Sequence, residues 1–232
     1  MCSSREQGVA FKAVWRQNSL KSFTSAIRRL KFRLRRRLGK PSDRRVLDVG
    51  SGHRPHEDAT HLVDLLPEDN SERGKPIKHL GLPLLLATVE SLPFKDKSFD
   101  YVYASHVLEH TQDPASACKE LMRIARAGYI ETPNPFYEQG YNYPHAERGW
   151  SFHRWFVYLG EGDTLTFEPK TVRSIDDFCH CRHGQFIKRI YGSMKDLNQL
   201  QGVLPRECSY TVLHWKDEFR FAVKRDSEHP PC

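Results

Sequence analysis

The stretch "RVLDVGSGHRPHEDATHLVDL" (residues 45–65) constrains the fold more than any other part of the chain. An apolar run ends on the carboxylate of Asp48, and two glycines, Gly50 and Gly52, follow with one residue between them. A second apolar run then ends on Asp64. Short apolar runs bounded by turn residues read as strands buried on both faces, which belong to parallel sheets. A loop of bare backbone leaving such a strand is where these sheets receive a nucleotide-like ligand.

The rest of the body alternates in the same way. "LLLATV" (84–89) reads as a third strand, "FDYVYASH" (99–106) as a fourth and "GYIETP" (128–133) as a fifth. Between the last two, "DPASACKELMRIARA" reads as a helix: Asp113 caps it, Pro114 suits its first turn, and Ala117, Leu121, Ile124 and Ala125 share one face. Alternation of this kind predicts an α/β fold with a mostly parallel sheet. "SYTVLHW" and "FRFAVKR", on either side of "KDE", read as an antiparallel hairpin closing it at the C-terminal end.

Charge divides the chain at about residue 42. Residues 1–45 hold 14 Lys/Arg against Glu6 and Asp43, whereas the remainder holds 22 basic and 27 acidic residues. The basic arm (1–42) contains "SLKSFTSAIRRLKFRLRRRLGK", in which Leu20, Phe23, Ile27, Leu30, Leu34 and Leu38 form one stripe of a helix about 30 Å long. Two readings of its basic face stand: a solvated surface, or a docking arm for an anionic membrane surface or nucleic acid. Residues 43–232 form the expected single domain. No apolar run reaches the ~20 residues of a membrane span, the first residues lack a secretory signal pattern, and six scattered cysteines do not make a disulfide scaffold. A cytoplasmic protein, at most peripheral to a membrane, is expected.

The glycine loop is not a dinucleotide loop. Pro55 stands where the third glycine of G-x-G-x-x-G belongs, and only six residues separate it from "LVDL", too few for a full helix aimed at a pyrophosphate. No G-K-[ST] follows, so it is not a P-loop either. S-adenosylmethionine, which carries no phosphate, fits better: bare backbone at Gly50 and Gly52 lets the chain pass close to it, Asp64 can accept from the ribose diol, and Asp48 can organise the loop or the cationic end of the ligand.

"VESLPFKDKSFDYVYASHVLEHTQDP" resembles the class I S-adenosylmethionine-dependent methyltransferases of the type-11 group, which commonly read "LPF…D.SFD.V…..LEH..D" after a D-x-G-x-G loop. The resemblance covers roughly residues 45–133. It implies a Rossmann-like, seven-stranded sheet with a reversed last strand and cofactor at the ends of strands one, two and four. It further implies that Asp48, Gly50, Ser51 and Gly52 form the cofactor loop and that Asp64, with Leu65 beside it, holds ribose. Thr88, Val89 and Glu90 would border adenine, and Ser105 and His106 the methionine moiety. Thr88 departs from the acidic residue that the family often places there.

Transfer from a sulfonium needs alignment and exclusion of water, and a neutral acceptor also needs a base. His106 and His110 of "SHVLEH" and His153 of "FHRWF" are the candidates; the first two would share a face if the segment is helical. An anionic acceptor would instead be positioned by Arg148 or Arg154. Nine aromatics in residues 134–158 make that segment, extending to about residue 170, an expected lid or substrate wall, with a structural pad as the alternative. Cys179, Cys181 and His183 of "CHCRHG" have the wrong spacing for a zinc site, and no obligate metal is expected. Three functions remain open at this level. They are transfer to O or N of a small molecule or glycan, transfer to an RNA base or membrane-associated substrate docked by the basic helix, and a methyltransferase-like binding protein without turnover.

Overall fold

The computed structural model describes residues 44–66, 68–70, 74–135, 153–170 and 209–224. The basic arm, most of the aromatic segment 134–152 and "CHCRHG" lie outside the described residues, with Arg148 among them.

The five expected strands are present: β1 (Val46–Val49), β2 (His61–Asp64), β3 (Leu84–Leu86), β4 (Tyr101–Ser105) and β5 (Ala127–Pro133). With β8 (Tyr210–Lys216) they form a six-stranded sheet in the order β3-β2-β1-β4-β5-β8. All neighbours are parallel except β8, which runs antiparallel to β5. The chain moves outward from β1 through β2 to β3, then returns to lay β4 against the other side of β1. That reversal opens a crevice at the carboxyl ends of β1 and β4, the place where open α/β sheets bind ligands.

Register assigns each side chain to a face. Asp48 pairs with Tyr103, Tyr103 with Tyr129, and Tyr129 with His214. With a period of two, Asp64, Ser105 and Glu131 share that polar face. The opposite face carries Leu47, Val49, Val63, Val102, Ala104, Ile130, Leu213 and Trp215, all in the buried core. It packs against α1 (Pro114–Ile124), whose buried residues are Pro114, Ala117, Cys118, Leu121 and Ile124. Asp113 caps α1 as its sequence requires, accepting from the N–H groups of Ala115 (3.0 Å) and Ser116 (3.1 Å). Gly128 is a packing requirement, because a Cβ there would lie 2.7 Å from the Trp215 indole.

The expected closing hairpin does not form. β9 (Phe221–Val223) leaves β8 after a turn at Asp217 and pairs parallel with β7 (Leu165–Pro169), which pairs antiparallel with β6 (Trp155–Leu159). The main sheet thus has six strands among the described residues, beside a separate three-stranded sheet. The reason is packing: Phe219 and Phe221 lie against the core near Met122, and Leu165 and Phe167 are buried there too. The described end of the aromatic segment is regular for the same reason. Phe156 and Val157 of β6 and Leu165 and Phe167 of β7 are buried, so these two strands pack onto the core.

Candidate functional site

The first part of the site is the loop after β1. Gly50 sits at φ +66° and Gly52 at φ +51°, the left-handed region that glycine tolerates best. A side chain at Gly50 would also meet Val107 Cγ2 at 2.4 Å, so the loops after β1 and β4 touch at this point. The N–H groups of Gly50 and Ser51 donate to Val63 O at 2.8 and 3.2 Å, and that of Gly52 to Asp64 Oδ2 at 2.9 Å. Asp48 Oδ2 accepts from the N–H of His56 at 2.6 Å, which ties down the helix-free "HRP" turn. Asp64 and Asp48 therefore both shape the loop.

Two observations test whether an adenosyl sulfonium cofactor fits here. Among the described residues the buried Ser51 hydroxyl has no hydrogen-bond partner, a polar atom left for a ligand to satisfy. Burial, together with the charge of Asp64, pushes the Asp48 carboxyl up to about 7 in spite of the His56 hydrogen bond. A carboxyl that resists ionisation favours a cation beside it. Leu65 is 56% exposed at the end of β2 and can supply an apolar surface to a purine. The residues present fit the group.

The segment expected to border adenine is braced from within. Thr88 Oγ1 donates to Glu90 Oε2 at 2.7 Å, while Glu90 Oε1 accepts from the N–H groups of Gln112 (2.6 Å) and Asp113 (3.0 Å). Burial opposes ionisation of Glu90, but these bonds outweigh it and hold its carboxyl below the usual range. Val89 is in the core. Glu90 thus joins the end of β3 to the start of α1.

The second part follows β4. Ser105 donates to Glu131 Oε1 at 3.1 Å. His106 takes the left-handed conformation, φ +57°, which is uncommon for a residue with a side chain and is held by its N–H donating to Glu131 O at 2.8 Å. Its ring stands between two buried carboxylates: Nδ1 is 3.3 Å from Glu109 Oε1 and Nε2 is 3.9 Å from Glu131 Oε1. The ring is 43% exposed, so it is open to an incoming group. A 3₁₀ turn, Leu108–His110, comes next, so the helix that would put His106 and His110 on one face is not there. The two histidines flank Glu109 instead.

His153 reaches the same place from β6. The N–H of Arg154 donates to Glu109 O at 2.7 Å and Trp155 Nε1 donates to Thr111 O at 2.8 Å, fixing this segment to the 3₁₀ turn. The rings of His110 and His153 meet edge to face at 4.5 Å. The structure therefore brings together all three histidines named from sequence, around Glu109. The sequence reading did not name Glu109 or Glu131 as site residues. The signal for Glu131 was a carboxylate inside an apolar strand; the signal for Glu109 was its place between two candidate histidines.

Comparison with known proteins shows what this part of the chain is similar to. A family model described as a methyltransferase domain matches residues 47–130, from β1 to β5. That match makes this part of the chain similar to methyltransferase domains. Two uncharacterized methyltransferases, from Mycobacterium sp. strains KMS and MCS, are each 33% identical over 159 residues, covering 66% of this chain. The chain spans 56% of the length of these relatives. Among solved structures, a methyltransferase from Thermotoga maritima is similar at 19% identity and a TM-score of 0.37, covering 56% of this chain and 77% of that one. One from Mesorhizobium loti is similar at 17% identity and a TM-score of 0.32, covering 59% and 62%. The matched region thus holds the glycine loop, Asp64 and the "LEH" turn, while His153 lies beyond it.

Proposed function

We propose that the chain is an S-adenosylmethionine-dependent methyltransferase acting on an oxygen or nitrogen of a small molecule or glycan. The observation that carries this reading is the cation-seeking loop: Asp48 and Asp64 on one face of the sheet, with the orphaned Ser51 hydroxyl between them in sequence. S-adenosylmethionine, when bound, supplies an activated methyl group on a sulfonium. The chain's own residues do the rest. Gly50–Gly52 backbone and Ser51 would hold the ligand at the carboxyl end of β1, and Asp64 would accept from ribose hydroxyls. Asp48 in its ionised form offsets the positive end of the ligand. His106, held between Glu109 and Glu131, is placed to take the proton that a neutral acceptor loses as its oxygen or nitrogen bonds to the methyl carbon.

The test is transfer of an isotope-labelled methyl group from S-adenosylmethionine to a panel of hydroxylated and amine acceptors and glycans. Label should reach at least one acceptor, and His106→Ala should lower kcat more than it raises KM. Cofactor binding with no transfer to any acceptor would favour a binding protein without turnover. The concentration of charge in residues 1–45 supports a second reading, an RNA or membrane-associated acceptor docked by the basic arm. In that case replacing Arg35, Arg36 and Arg37 by Glu would raise KM steeply and flatten its salt dependence.

A further inference from the structure

We propose that Glu109, His110 and His153 form a binding site for a divalent first-row transition ion, of the Zn²⁺, Co²⁺ or Mn²⁺ class. Their donor atoms, one per residue, all lie within 4.8 Å of one another. Ligands at about 2.1 Å in a tetrahedral shell stand about 3.4 Å apart, so side-chain rotation alone closes the set. Two imidazoles and one carboxylate are a donor set that such ions take with positions left over for water or substrate. Mg²⁺, which prefers an all-oxygen shell, does not suit it.

Three independent features support a built site. Glu109 is 1% exposed, and among the described residues neither carboxylate oxygen has a hydrogen bond of good geometry. His106 Nδ1 lies a loose 3.3 Å from Oε1. A buried carboxylate in that condition is costly, and a cation relieves the cost directly. Second, the two segments that contribute ligands are locked together by backbone: Arg154 N–H donates to Glu109 O. This bond joins residues next to His110 and His153 and sets their spacing before any ion arrives. Third, His106 lies beside Glu109, with Nδ1 3.3 Å from Oε1, a second contact to the carboxylate of the kind that partners of metal-binding carboxylates make. The inference goes beyond methyl transfer and stands or falls on metal binding alone.

The experiment uses the full chain stripped with a chelator and titrated with Co²⁺, Zn²⁺, Mn²⁺ and Mg²⁺, followed by calorimetry and by the visible spectrum of the Co²⁺ form. One Co²⁺ or Zn²⁺ per chain is expected, with visible ligand-field bands and no thiolate charge-transfer band. Affinity should fall about 100-fold in His110→Ala and in His153→Ala. Cys179→Ser with Cys181→Ser should leave it unchanged. Because Glu109→Gln can fail by unfolding, the half-buried histidines carry the test, with circular dichroism confirming that each variant is folded. Absence of binding by any ion, a thiolate band, or undiminished affinity in both folded histidine variants would overturn the site. Titration of the same samples with S-adenosylmethionine separates that outcome from failure of the methyltransferase reading.

Discussion

At the scale of single residues, Asp48 is the group whose chemistry the fold alters most. Its carboxyl titrates at about 7 in the folded chain, chiefly through burial, against an ordinary value of 3.8. Between those values the folded protein holds a proton that the unfolded chain has released. Stability therefore falls as pH rises from about 4 to about 7 and levels off above, the reverse of a salt-bridged carboxylate. Denaturant midpoints measured across that window should show the slope, and Asp48→Asn should remove it. The same linkage acts on the ligand. A cationic cofactor takes the ionised form, so its affinity should rise with pH up to about 7 and then flatten. Gly50 makes a second prediction at this scale. Gly50→Ala combines a left-handed backbone with a 2.4 Å approach to Val107 Cγ2 and should cost about 1–3 kcal/mol in denaturant unfolding. Adding Val107→Ala should recover only part of that, since it removes the contact and leaves the backbone strain.

At the scale of elements, the "LPF…D.SFD" run proves to be architecture. Leu92 and Phe99 are buried, and Phe94 packs edge-on against Phe99 at 4.9 Å. Arg123 of α1 holds the loop by donating to Leu92 O (2.9 Å), Phe94 O (2.7 Å) and Asp96 Oδ1 (2.8 Å), with Glu120 at 2.6 Å fixing its guanidinium. Arg123→Ala should lower stability by about 1–3 kcal/mol, read by chemical unfolding, because two carbonyls and two carboxylates lose a charged donor together. This element also shows what a sequence can reveal. The five parallel strands, α1 and its Asp113 cap were legible, because apolar period and cap chemistry are local. The fate of "FRFAVKR" was not. Strand pairing is a choice among distant partners, and Leu165–Phe167 offered β9 a buried neighbour that nothing near residue 221 announces. His106 and His110 would share a face only in a helix, and the 3₁₀ turn Leu108–His110 does not supply one. The left-handed turn at His106 is set by Glu131 O, a partner 25 residues away.

At the scale of the whole molecule, the sheet separates two tasks by the parity of its strands. One face carries Leu47, Val49, Val102 and Ile130 against α1 and stabilises the domain. The other carries Asp48, Asp64, Ser105 and Glu131 toward the crevice at the carboxyl edge, where the β1 and β4 loops meet at Gly50 and Val107. Among the described residues no helix is long and apolar enough to cross a membrane. The central claim, that this edge holds S-adenosylmethionine, is tested most directly by calorimetric titration of the full chain with S-adenosylmethionine, S-adenosylhomocysteine and NAD, repeated on Asp64→Asn. The account predicts micromolar binding of both adenosyl ligands, no binding of NAD, and affinity weakened about tenfold or more in the variant. A folded protein that binds neither adenosyl ligand at millimolar concentration, or binds them equally well without the Asp64 carboxylate, would contradict it.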